Sequence, residues 1–166
     1  MHDPHNVSAI FRTCDAVGIP KVSLVYNIEK FPKIGKKSSA SAFKWVEREK
    51  HNSIKECYES LRLQGFKIFA SQISDDAVDL YELDLTGKTA IVIGNEHRGI
   101  SEEAGESADL RFKIPMYGMV QSLNASVSAA VVIYEALRQR RTQGKYEQTE
   151  ISEDELNSLI EKWSKK

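Results

Sequence analysis

The sequence predicts an α/β domain, a mostly parallel sheet flanked by helices, and three observations lead there. Short apolar runs alternate with longer stretches of helical periodicity, the order that successive βα units require. The runs VSLVY, KIFAS and TAIVI read as strands covered on both faces, as strands of parallel sheets are. Three loops that leave such strands, 70–76, 94–100 and 115–123, carry unusual residues, and ligands in α/β sheets bind beyond the carboxyl ends of the strands. The 166 residues suit one domain with one good core.

Taken in order, Asn6 to Val17 is predicted helical, because Val7, Ile10, Phe11 and Cys14 recur at i, i+3, i+4 and i+7. Gly18 stops it and Pro20 prevents continuation. Val22 to Tyr26 is a strand. Asn27 to Lys37 is a loop punctuated by Pro and Gly and carrying Lys30, Lys33, Lys36 and Lys37. A short helix is predicted over Ser38–Phe43 and a short strand over Lys44–Glu47. Ser53 to Gln64 is a second amphipathic helix, with Ile54, Cys57, Tyr58 and Leu61 on its apolar face, ended by Gly65. Strands follow at Lys67–Ser71 and Thr89–Ile93. Ser101 caps a short acidic helix, and Leu110–Ile114 is another strand. A long helix runs from Asn124 to about Arg141. Beyond Glu147 the chain is polar, with a last amphipathic helix over Ile151–Trp163 capped by Ser152.

Composition narrows the class. Hydrophobic residues make up 41% and charged residues 28%, an ordinary globular mix. No apolar run approaches the ~20 residues of a membrane span, and the first residues lack a signal-peptide pattern, so a cytoplasmic protein without a membrane partner is expected. Cys14 and Cys57 form no CxxC, so neither zinc nor a disulfide framework is indicated. Cys14 is read as a packing residue. Net charge is −1, but residues 21–67 hold eleven Lys/Arg against five Asp/Glu, 111–145 six against one, and 75–109 two against ten. Such segregation permits a basic face for phosphates and an acidic face elsewhere, unless folding mixes the segments.

Three stretches are candidates for chemistry. In Gly94-Asn95-Glu96-His97-Arg98-Gly99, two glycines let backbone approach a ligand, and Asn95 and Glu96 put polar groups at a strand terminus. The segment is neither a Walker loop nor a dinucleotide fingerprint, and an ordinary turn is the competing reading. Ile114-Pro115-Met116-Tyr117-Gly118-Met119-Val120-Gln121-Ser122-Leu123-Asn124 mixes apolar side chains with amides and hydroxyls, which suits a small amphiphilic ligand such as a nucleoside. Gap filling by Met116 and Met119, and helix capping by Ser122 and Asn124, explain the same residues. Arg12 interrupts an apolar helical pattern. It is either a phosphate-binding guanidinium or a solvated surface residue.

Together these stretches resemble, in order and spacing, the three motifs of the SpoU/TrmH family of RNA 2′-O-ribose methyltransferases. The first is Asn6-Val7-Ser8-Ala9-Ile10-Phe11-Arg12-Thr13, and the second is Ile93 through Ile100. The third is Ile114-Pro115-Met116 with Ser122-Leu123-Asn124-Ala125-Ser126-Val127. The similarity covers roughly residues 3–141. The string Met119 to Asn124, followed by Tyr134-Glu135 and Arg138-Gln139-Arg140, is most like the branch that methylates guanosine 18 in the tRNA D-loop. Ala125 stands where the family commonly has Val. Family members carry a strand, and often a helix, ahead of Asp3-Pro4-His5-Asn6, and this sequence begins almost at that stretch.

The resemblance implies a methyltransferase domain over 1–145, with its amino-terminal strand short or missing, and a helical tail over 146–166. It implies a carboxyl-terminal trefoil knot that forms the cofactor pocket and a homodimer contact. S-adenosylmethionine is the implied methyl donor, with no metal, and the RNA partner is tRNA or rRNA. Arg12, Asn6, Glu96, Ser122 and Asn124 are the implied catalytic residues. The cofactor would meet Ala70, Ser71, Ile93, Gly94, Asn95, Glu96, Gly99, Ile114, Met116, Ser122, Leu123 and Asn124. RNA would meet Lys33, Lys36, Lys37, Arg138 and Arg141. Arg12 would pair with a phosphate and stabilise negative charge developing on the 2′-oxygen, with Asn6 orienting Arg12 or the ribose. Ser122 and Asn124 would fix cofactor and nucleotide, and Glu96 the loop or the substrate. The other reading is a non-catalytic RNA-binding protein on the same fold. Early in the long helix, Ala125 to Ile133 are apolar on more than one face, which suits burial against both sheet and partner.

Overall fold

The computed structural model describes residues 3–26, 42–147 and 151–165. Helix α1 (Pro4–Ala16) starts where the Asp3 carboxylate accepts the His5 N–H at 2.7 Å and Pro4 opens the first turn. It ends before Gly18, which sits at φ 79°. Strand β1 (Lys21–Val25), α2 (Ala42–Trp45), β2 (Glu47–His51) and α3 (Ile54–Leu63) follow. Next come β3 (Lys67–Ser71), β4 (Val78–Asp79), a 3-10 turn at Leu80–Glu82, and β5 (Thr89–Val92). The chain continues through α4 (Glu102–Glu106), β6 (Leu110–Lys113), α5 (Ala125–Thr142) and α6 (Glu153–Ser164).

All pairs between these strands are parallel, as predicted. β1 pairs with β2, and a second sheet has the order β4-β6-β3-β5. Ile68, Phe69 and Ala70 of β3 are all buried, so this central strand is covered on both faces. Phe69 joins Phe112, Leu80, Leu85 and Val132 in a core beneath α5, while Ile68 joins Tyr58, Leu61 and Ala104 beneath α3 and α4. A third cluster packs Val7, Phe11 and Cys14 of α1 on Ala129 and Ile133 of α5. Burial there pushes the Cys14 thiol up to about 11, which keeps it protonated and inert.

The predicted strand over Lys44–Glu47 is corrected. Lys44 lies in α2, and the strand runs Glu47–His51. Its sequence, EREKH, has no apolar run to signal a strand. Of its residues only His51 is buried, so the strand is held by backbone pairing to β1 and charge covers its surface. β4 was also unforeseen. Of the helix predicted over Ser38–Phe43, only residues 42 and 43 are described, and both lie in α2; Lys30, Lys33, Lys36 and Lys37 lie outside the described residues. The α6 cap is as read: Ser152 and Glu155 form a reciprocal capping box. This helix meets the domain through Trp163 edge-on to Trp45, at 5.9 Å between ring centroids, and Lys162 on Glu47 at 3.1 Å.

Candidate functional site

The loops that leave β3, β5 and β6 enclose one open cleft of about 440 Å³ at the carboxyl ends of the strands. Its walls are Ser71 at the end of β3, the whole of Ile93–Ile100 after β5, and Ile114 and Met116 after β6. The turn into α5 closes it with Gln121, Ser122 and Leu123. The size and the mix of aliphatic side chains with exposed backbone suit a small amphiphilic ligand. Of the residues singled out for cofactor contact, two do not line the cleft: Ala70 is fully buried within β3, opposite Val92, and Asn124 turns to α1 and the start of α5.

The β5 exit loop owes its shape to its glycines and to Asn95. Asn95 and Gly99 exchange both backbone hydrogen bonds at 2.8 Å, closing a tight ring with Gly99 at φ 66°. The Asn95 side chain accepts the His97 N–H at 2.9 Å and the Arg98 N–H at 3.3 Å. A Cβ on Gly94 would overlap the Gly99 carbonyl and the Ile100 nitrogen, so any other residue there would force the loop open.

Glu96 turns out of this ring toward α1. The Asn6 amide nitrogen donates to Glu96 Oε1 at 2.9 Å, and the Asn6 carbonyl accepts from Asn124 Nδ2 at 3.0 Å. Asn124 in turn caps α5: its Oδ1 accepts from the Ser126 N–H at 2.8 Å and from the Ser126 hydroxyl at 2.7 Å. One buried asparagine therefore ties the three motif segments together. Its hydrogen bonds run to Glu96 and Asn124, not to Arg12. Six residues apart on one helix, the two project roughly 120° from each other.

Arg12 and Ser122 are both exposed, Arg12 on α1 and Ser122 on the cleft rim. Arg138 is exposed but engaged: it makes two 2.8 Å contacts with the buried Glu135 carboxylate. That pairing, and then Gln139, hold the Glu135 carboxyl below its usual range. Arg141 is exposed near the end of α5. The segment after β3 is braced as well. Arg111 of β6 pairs with Asp76, which also accepts from the Ser74 hydroxyl at 2.7 Å, and these bonds lower the Asp76 carboxyl, Ser74 first. Sequence reasoning missed Gln72, Ser128 and Lys113 on the cleft wall. Gln72 stood in a loop that was singled out, but a lone amide carries no pattern. Among the described residues no group of three acidic, His or Cys side chains could hold a metal, and no helix is long and apolar enough to cross a membrane.

A family model described as the SpoU rRNA Methylase family matches residues 1–134. The tRNA (guanosine(18)-2'-O)-methyltransferase of Thermus thermophilus is 42% identical over 166 residues, all of this chain and 85% of its own. That of Escherichia coli K12 is 43% identical over 162 residues, 96% of this chain and 70% of its own. The solved TrmH/SpoU tRNA modifying enzyme of A. aeolicus superposes with a TM-score of 0.92 at 40% identity, covering 98% of this chain and 83% of that one. The SpoU methyltransferase AviRb of Streptomyces viridochromogenes, solved in complex with the cofactor AdoMet, reaches 0.69 at 27% identity over 84% of this chain and 56% of that one. With its three motif segments joined at one cleft and a family model covering most of its length, this chain belongs to the SpoU rRNA methylase family.

Proposed function

We propose that the chain transfers a methyl group from S-adenosylmethionine to a ribose 2′-hydroxyl of tRNA, at guanosine 18 of the D-loop. The single observation that carries the reading is the Glu96–Asn6–Asn124 relay, which ties the first motif segment to the second and third, the two that line one nucleoside-sized cleft. Relatives named as guanosine-18 methyltransferases, 42–43% identical, support the choice of tRNA. An rRNA target is the alternative within the family. The residues fit the cofactor: Gly94 and Gly99 bare the backbone, and Ile93, Ile114 and Leu123 supply apolar walls. When bound, S-adenosylmethionine supplies an already activated methyl.

The protein's part is then position and charge. Asn6 fixes Glu96 and the start of α5 at set distances, so the β5 loop and the β6–α5 turn keep one geometry. Ser122 on the rim orients the nucleotide. Arg12 pairs with a substrate phosphate and stabilises the negative charge that develops as the 2′-hydroxyl loses its proton. That proton passes to the phosphate or to water, because a guanidinium stays protonated. Arg138, Arg141, Lys33, Lys36 and Lys37 extend the RNA contact.

We also infer the carboxyl-terminal knot, a homodimer and a cytoplasmic location. Tyr117 and Met119 are 97% and 99% exposed, and Val127 and Tyr134 about half. Apolar surface so concentrated beside the cleft suits a second copy of the chain. The test is methyl transfer from labelled donor to bulk tRNA and to rRNA. Labelling of tRNA, lost when guanosine 18 is replaced, is the expected result. Labelling of rRNA alone would move the substrate, and none at all would leave an RNA-binding protein. Light scattering at micromolar concentration should give a dimer.

A further inference from the structure

Gln72 is the first residue beyond β3 and stands on the cleft wall. Its backbone is fixed, the N–H donating to Phe112 O at 3.0 Å. Its carboxamide makes no hydrogen bond to any described residue, and the oxygen is buried. The space for that oxygen exists because residue 105 is glycine. A Cβ there would overlap Gln72 Oε1 and stand 2.9 Å from Cδ and 3.2 Å from Nε2. Gly105 lies inside α4, is buried, and has no positive φ. Alanine is the better helix former at such a position, so the backbone gives no reason for glycine. The packing of Gln72 does.

A buried amide oxygen without a donor is unfavourable, and buried polar groups in folded proteins are overwhelmingly paired. The cost is understandable if the other end of the amide has work in the cleft. We propose that Gln72 binds the cofactor, its Nε2 donating a hydrogen bond to an acceptor atom of S-adenosylmethionine, and that Gly105 is a positioning residue that seats the carboxamide. This rests on the cofactor reading given above. It adds two residues that lie outside the three motif segments, one of them in a helix that does not line the cleft.

The test is calorimetric binding of S-adenosylhomocysteine, the demethylated product, to the intact chain. Gln72→Leu keeps the bulk and removes the amide, and should weaken binding about three- to tenfold, the range of a single hydrogen bond. The three atoms nearest to a Cβ at Gly105 all belong to the flexible Gln72 side chain, so the Gly105→Ala domain should fold with an unchanged or raised thermal midpoint. Its affinity should nevertheless fall by a similar factor. The double variant should bind no more weakly than Gln72→Leu alone, because both changes remove one interaction. Wild-type affinity in Gln72→Leu overturns the proposal, and so does wild-type affinity in a folded Gly105→Ala. If Gly105→Ala does not fold, the seat is a structural glycine and that half of the proposal falls, while Gln72→Leu still decides the other. Absence of binding by the folded wild-type chain overturns the cofactor assignment, and this proposal with it.

Discussion

The two ends of helix α5 are held by polar side chains of opposite character. At its amino end, Asn124 is exposed and caps the helix while reaching across to Asn6 on α1. Near its carboxyl end, Glu135 is buried and bonded to Arg138 and Gln139. Gln139 closes a ring with the 83–85 segment, accepting the Leu85 N–H at 2.8 Å and donating to Leu83 O at 2.9 Å. Arg140 reaches the carbonyls of Leu85 and Gly87. The first cluster stands beside the cleft, which Glu96 lines, whereas the second fastens α5 to the 83–87 segment away from it. A rigid distal anchor lets the proximal turn keep its position without filling the cleft. Polarity on one helix thus divides between the site and its anchoring.

The comparison breaks most visibly through Arg12, on the helix that Asn124 clamps. Arg12→Lys keeps the charge but loses the planar donor fork. It should cut turnover about 100-fold or more, some 2.7 kcal/mol of barrier, while affinity for S-adenosylhomocysteine stays normal. Full methylation by a folded Lys variant would make Arg12 a surface residue. Next comes Asn124→Ala, which removes the cap and the bond to Asn6. A loss of about 1–2 kcal/mol in urea unfolding is expected, together with weaker methyl transfer. Asn124→Asp still caps but cannot donate to Asn6, so it should regain stability without regaining activity. Recovery of both would reduce the proximal cluster to a cap.

At the distal end, Glu135→Gln should cost about 1 kcal/mol at neutral pH, given a partner as exposed as Arg138, and leave cofactor affinity unchanged. The Glu135 carboxyl is lowered from 4.5, first by Arg138 and then by Gln139. Its stabilisation is therefore present above 4.5 and is lost as pH falls through the lower folded value. Thermal midpoints of wild type and variant should converge as the pH falls below the folded value, and a gap constant with pH would contradict the ion pair. Ser152→Ala gives the smallest effect. It breaks the α6 capping box, worth about 1 kcal/mol within that helix. No residue of α6 is buried, so hydrogen exchange in α6 should quicken while the global midpoint hardly moves.

Where the sequence was legible, periodicity and burial agreed. The caps at Ser101 and Ser152 fall at the predicted residues, and Asn124 caps α5 as the competing reading of that residue had it, because a capping side chain and the helix it starts are neighbours in the chain. β2 was not legible, since pairing through the backbone leaves no mark on the charged side chains of Glu47–Lys50. The cleft was legible only as three strand exits. What joins them, Asn6 to Glu96 and Asn6 to Asn124, spans 90 and 118 residues, and no local pattern encodes a contact of that range. Gln72 and Gly105 escaped for a related reason: each looks ordinary until the other is placed beside it.

The reach of Asn6 also fixes an order of events during synthesis. Asn6 leaves the ribosome well before its two partners, which follow it by 90 and 118 residues. Domains acquire structure as the chain emerges, and contacts of wide sequence separation close late. Helix α1 can form early, yet its clamp stays open until Asn124 has been made and α5 has packed on it. The cleft consequently matures only after α5 has been made, and a chain that stops short of α5 has no finished site with which to engage RNA.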